Sequence, residues 1–92
     1  MEIVWDPHKA SANARRHGGV TFEEAKDVLL DPFALVHEDE DAGAEQRFVA
    51  LGRGAKGRVL VVVYTYRDET IRLVAAWKAN KPQRRRYEEQ FR

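Results

Sequence analysis

Hydrophobic and polar positions divide the chain into parts of different period. Val20, Phe22, Ala25, Val28 and Leu29 fall at helical spacing, whereas from Phe33 onward apolar residues alternate or run together as in strands. The helical stretch opens on Thr21 and Glu24, a T-x-x-E capping box, with Val20 and Ala25 placed as a hydrophobic staple, and Asp31-Pro32 ends it. Four strands are expected after it: Phe33–His37, Arg47–Leu51, Arg58–Tyr66 and Thr70–Trp77. Turns around Gly43, Gly52 to Gly57 and Arg67 to Glu69 separate them. Short connections favour antiparallel neighbours, so these strands should form a meander. Val59 to Val63 leaves no polar face, which makes its strand central and requires helices on at least one side of the sheet. Asn80 and Gln83 form a second capping-box arrangement, opening a C-terminal helix with Tyr87 and Phe91 at i, i+4. The expected fold class is α+β: a small antiparallel sheet packed with two N-terminal helices and one C-terminal helix, as one domain over residues 1–92.

The first of those helices breaks the pattern. Asp6 can cap it, Pro7 suits its first position, and Gly18-Gly19 supplies a left-handed stop. Between these limits Ala10, Ala12 and Ala14 offer little apolar bulk, while Lys9, Asn13, Arg16 and His17 can contact anions or donate protons. A helix with so small a hydrophobic payload is a weak core element and a candidate part of a site.

Composition narrows the chemistry. The 92 residues contain no cysteine, which excludes disulfides, thiolate zinc sites and cysteine nucleophiles and fits a reducing interior. The chain opens directly on a strand-like Glu2 to Trp5, so no secretory leader is expected. The longest apolar run, Val59 to Tyr64, is too short to span a membrane. A cytoplasmic location is the expectation. Net charge is only +1, but the charges are segregated: Glu38 to Asp41 and Glu45 are acidic, while Lys78, Lys81 and Arg84 to Arg86 are basic. The basic end suits phosphate or an acidic protein. His8, His17 and His37 lack a helical i, i+4 pairing, and the acids at 38 to 41 are consecutive on a strand end, so neither metal nor other cofactor is expected.

Phosphate chemistry does not require a metal where the substrate carries its own nucleophile, as the ribose 2'-hydroxyl of RNA does, since the protein then need only move protons and stabilise charge on phosphate. Arg72, between Ile71 and Leu73, should share one sheet face with Thr70 and Val74, where its planar fork can hold two phosphate oxygens. Snorkelling to solvent or pairing with an acid is the plainer alternative. His17 is the best proton carrier by side-chain chemistry, although a histidine in the last helical turn also complements the helix dipole. Tyr64 and Tyr66 can hydrogen-bond phosphate or seal the sheet. Direct DNA binding through Lys81 to Arg86 is disfavoured, since adjacent arginines spread around a helix and the overall charge is nearly neutral.

The run W-D-x-x-K-x-x-x-N, then R-R-H-G, then V-x-F-E-E-A resembles the opening of the BrnT toxins of bacterial type II toxin-antitoxin systems. Later, A-E-Q-R-F-V-A-L-G resembles their E-x-R-F-x-A-L-G segment, and I-R-L-V-A-A-W-K-A-N-K-P-Q-R-R-R-Y their I-R-x-I-S-A-R-K-A-x-x-x-E-R-x-x-Y. The resemblance implies a RelE-like α+β ribonuclease toxin, neutralised by a BrnA-like ribbon-helix-helix antitoxin in a heterotetramer that touches DNA only through the antitoxin. It also favours a functional Arg47 over a mere cross-strand ion pair. The expected catalytic set is His17, Arg47, Arg72 and Lys78, with Lys9, Tyr64, Trp77 and Lys81 binding substrate. Three departures stand out: Ala75, Trp77 and Gln83 occupy the usual serine, arginine and glutamate positions. They raise the alternative of a catalytically impaired homologue that acts as an antitoxin-binding module. Trp77 can instead stack on a base, and Lys78 replaces the lost charge without its bidentate geometry.

Overall fold

The computed structural model describes residues 1–92. The elements are β1 (Glu2–Val4), α1 (Pro7–Arg16), α2 (Phe22–Ala25) running into a 3₁₀ turn (Lys26–Leu30), β2 (Leu35–Asp39), β3 (Arg47–Arg53), β4 (Val59–Arg67), β5 (Thr70–Lys78) and α3 (Lys81–Glu89). They build one five-stranded sheet in the order β1-β5-β4-β3-β2. β2 to β5 form the antiparallel meander that their short connections require. β1 departs from it, lying outside β5 in parallel with Val4 beside Arg72, so the sheet is mixed rather than antiparallel. No hairpin joins β1 to β5, so no turn imposes an orientation on the pair. β1 instead follows the direction that carries the chain into α1.

The second expected helix is mostly a tighter coil. Only Phe22–Ala25 is α-helical, and Lys26–Leu30 winds as 3₁₀. β3 approaches this turn closely at Gly52, where a Cβ would sit 3.0 Å from Val28 and 3.1 Å from Asp31 Oδ2. Asp31 then accepts the backbone N–H groups of Phe33 and Arg53 and the hydroxyl of Tyr87. The first of these bonds folds Phe33 into a turn, so β2 begins at Leu35 rather than at Phe33.

Both sheet faces carry a core. Under α1 and α2, Phe22, Ala25 and Val28 meet Ala50, Leu60, Val62, Leu73 and Ala76. On the reverse face, Tyr87 of α3 packs with Leu51, Val59, Val61 and Ala79. Asn80 and Gln83 close the reciprocal capping box expected at the start of α3, with bonds of 2.9 Å each way. The Thr21 box closes only halfway. Thr21 accepts the Glu24 N–H, but the Glu24 carboxylate turns to Arg58, which grips it with bonds of 2.6 and 2.8 Å.

One irregularity controls what the reverse face displays. Val63 pairs with Ala75 and Tyr64 with Leu73, leaving Val74 as an extra residue in a β-bulge. Strict alternation would set Arg72 and Trp77 on opposite faces. The bulge shifts the parity by one, so Leu73 and Ala76 both enter the α1 and α2 core while Arg72, Ala75 and Trp77 share the reverse face. Val74 is therefore not an ordinary face-mate of Arg72.

Candidate functional site

The reverse face is built in cross-strand rows. Arg72 on β5 pairs with Thr65 on β4, and Arg47 on β3 stands across from Thr65, one step beyond the Phe48–Tyr64 pair. Two strand spacings put the Arg47 and Arg72 Cα atoms roughly 10 Å apart, close enough for two long guanidinium side chains to converge on one anion. The row behind them holds Val49, Val63 and Ala75, and the next holds Leu51, Val61 and Trp77. α3 covers the Val61 end and leaves the arginine end without a helix.

The arginines lack the partners that a purely structural role would supply. Neither takes part in any of the chain's three ion pairs, and the Nε of each is buried without a hydrogen-bond acceptor. Asp39 lies directly across from Arg47, yet its carboxylate accepts the Asp41 N–H instead. Glu45, two residues before Arg47, pairs with Arg67 at 3.3 Å. Thr65, between the two arginines, is buried and spends its hydroxyl on the Gln46 carbonyl. A buried donor left unpaired costs on the order of 1–3 kcal/mol, more when charged. Two such donors lie on the same sheet face, in the row that holds Thr65 between them.

Against the free edge of β5 beyond β1 lies the polar face of α1. Asn13 is buried and fully bonded: its amide donates to the carbonyls of Ala76 and Val20, and its Oδ1 accepts the Ala76 N–H. It thus replaces the missing strand partner of Ala76 rather than offering itself to an anion. Lys9, Arg16 and His17 surround this anchor and line a cleft of about 300 Å³ with Val74 and Ala75. The His17 backbone N–H caps α1 on the Asn13 carbonyl, and its ring rests against Trp77 with centroids 5.6 Å apart.

Three of the expected site residues lie elsewhere. Tyr64 faces the α1 and α2 core, stacked on Phe48 with centroids 5.7 Å apart. Burial, with Tyr66 beside it, pushes its phenol up to about 12. Lys78 pairs with Leu60, so its side chain leaves the sheet on the side opposite Arg72, at the far end of β5. Lys81 begins α3, beyond that same end. His37, considered in the sequence only as a metal ligand, shares the reverse face as the cross-strand partner of Val49, one row from Arg47. The only signal was its even spacing from Asp39 and Leu35 on the same strand. No three histidine or acidic side chains gather as a metal site would need.

A family model described as the ribonuclease toxin BrnT of type II toxin-antitoxin systems matches residues 5–83. The 1.1 Å crystal structure of the Brucella abortus ribonuclease toxin BrnT has a similar fold, with a TM-score of 0.69 at 22% sequence identity over 88% of this chain and 99% of that one. No curated protein gave a match.

Proposed function

Because the chain belongs to the BrnT family of ribonuclease toxins of type II toxin-antitoxin systems, we propose that Arg47 and Arg72 together bind the scissile phosphate of an RNA strand. The observation that carries this reading is the pair of buried, unpartnered Nε atoms on one sheet face. In the proposed reaction the ribose 2'-oxygen attacks the adjacent phosphorus in line while the P–O5' bond breaks. The products are a 2',3'-cyclic phosphate and a 5'-hydroxyl. One proton leaves the 2'-hydroxyl and one reaches the departing 5'-oxygen. The guanidinium groups neutralise charge that grows on the non-bridging oxygens, an effect worth roughly 10²- to 10³-fold for each well-placed donor.

His17 is the proposed proton carrier, at the wall of the cleft whose floor, Ala75, lies one row from Arg72. A positioned acid or base contributes roughly 10²- to 10⁴-fold. Trp77, braced by His17, offers its ring to a base further along the strand. Tyr64, Lys78 and Lys81 stand outside this scheme because of where they point. No step requires a metal ion.

Family membership implies an antitoxin partner. The partner proposed is a BrnA-like ribbon-helix-helix protein, assembled with the toxin as a heterotetramer and carrying all contacts to DNA. The proposed place of action is the cytoplasm; no helix of the chain is long and apolar enough to cross a membrane. The competing reading, an inactive antitoxin-binding module, draws on the departures at Ala75, Trp77 and Gln83. Gln83 weighs against it, since its side chain closes the α3 capping box, a task a glutamate performs equally well.

The test is induced expression with and without the antitoxin, followed by mapping of RNA ends and by cleavage with purified protein in a chelator. Growth arrest and chelator-resistant cuts leaving cyclic phosphate ends are expected. Efficient cutting of an all-deoxy substrate contradicts the mechanism, and unarrested growth with intact RNA favours the binding module.

A further inference from the structure

We infer that the cleft between α1 and β5 is a second phosphate subsite, in which Lys9 and Arg16 hold the backbone of the same RNA strand next to the phosphate on Arg47 and Arg72. The inference rests on that reading of the arginine pair and adds a length requirement to the substrate.

Helix geometry sets up the subsite. Lys9, Asn13 and Arg16 stand at i, i+4 and i+7, the positions of the stripe that a helix ordinarily buries. Here the middle residue is the buried one and clamps the helix to the Ala76 backbone. The two cations are thereby held on either side of the clamp, over the outer edge of β5. Ala10 and Ala14 occupy a different face of α1, towards Trp5 and Phe22.

The lining suits a phosphate. Lys9, Arg16 and His17 contribute three basic side chains to the cleft and no acid lines it, and none of the three forms an ion pair. Its floor is Ala75 and the bulged Val74, so little side-chain volume fills the space beneath the cations. A bulky residue at position 75 would close it. Ala75 lies one row from Arg72 and one from Trp77, so the cleft adjoins the arginine row along β5. A positive track with an aromatic platform at its end is the arrangement by which proteins follow a single strand. An acidic segment of a protein partner is the competing occupant, but it has no use for an adjoining phosphate-binding row.

The experiment measures binding of 2'-O-methyl RNA, which cannot supply the attacking hydroxyl, as a dinucleotide with one phosphate and as a tetranucleotide with three. Wild-type protein is expected to bind the tetranucleotide at least roughly tenfold more tightly. Lys9→Ala with Arg16→Ala should erase most of that gain, weakening the tetranucleotide several-fold more than the dinucleotide, and an equal loss at both lengths overturns the subsite. The variant's log–log salt slope for the tetranucleotide should also fall by about 0.7 for each phosphate that no longer meets a cation. Both residues are exposed, so the fold is expected to survive, and circular dichroism checks it. Unchanged affinity for both lengths overturns the subsite, as does a loss confined to antitoxin binding. The arginine reading fails separately, if Arg47→Met and Arg72→Met leave dinucleotide affinity and cleavage intact.

Discussion

At the scale of single residues, the fold separates polar side chains that are consumed from those that are left free. Asn13 is consumed: three hydrogen bonds tie it to Ala76 and Val20, and it holds α1 on the edge of β5. Replacing it with alanine strands a buried N–H and a buried carbonyl of Ala76, so Asn13→Ala should lose about 2–4 kcal/mol of stability in a denaturant titration. A loss within experimental error would show that α1 is held by other contacts. From the sequence Asn13 was indistinguishable from Lys9 and Arg16 as an anion ligand, because its partner lies 63 residues away. Arg47 and Arg72 are legible as strand cations, but their lack of an ion-pair partner is not. That depends on Glu45 choosing Arg67 and on Asp39 bonding its own turn.

At the scale of elements, most of the architecture followed from period and punctuation. The four-strand meander, the Asn80 cap and the central place of the valine-rich strand were readable because each rests on local rules. The parallel pairing of β1 and the bulge at Val74 were not, since neither leaves a local mark. The bulge matters most for the site, because it carries Trp77 to the face of Arg72. A longer-range tie explains the half-closed Thr21 box. Glu24 is buried and held by the Arg58 guanidinium, whose hydrogen bonds lower its carboxyl below the ordinary value near 4.5. A carboxylate lowered by folding contributes stability that is present above its unfolded value and is lost as pH falls through the folded one. Glu24→Gln should therefore cost about 2–3 kcal/mol at pH 7, less than breaking a fully buried pair because solvent reaches Arg58, which is a third exposed. The gap from wild type should narrow as pH falls below the ordinary carboxylate value near 4.5. A pH series of urea midpoints for both proteins measures this, and a gap independent of pH contradicts the assignment.

At the scale of the whole molecule, one sheet carries two unequal faces. α1 and α2 close the first, whereas α3 closes only the Val61 end of the second and leaves Arg47, Thr65 and Arg72 without a covering helix. The acidic residues at the end of β2 lie at one edge of the sheet, beside Arg47, whereas Arg72 and Lys78 lie on β5 towards the other edge. The central claim is that two guanidinium groups, unpaired in the folded chain, act on one phosphate. A double-mutant cycle on the single-turnover cleavage rate tests it most directly, using Arg47→Met, Arg72→Met and the double variant, with thermal melting as the control for folding. Each single change should slow cleavage by about 10²- to 10³-fold at an unchanged or raised melting temperature, and the double variant should be little slower than the worse single one. Rate reductions that multiply independently, or single variants that cleave as fast as wild type, would contradict a shared phosphate.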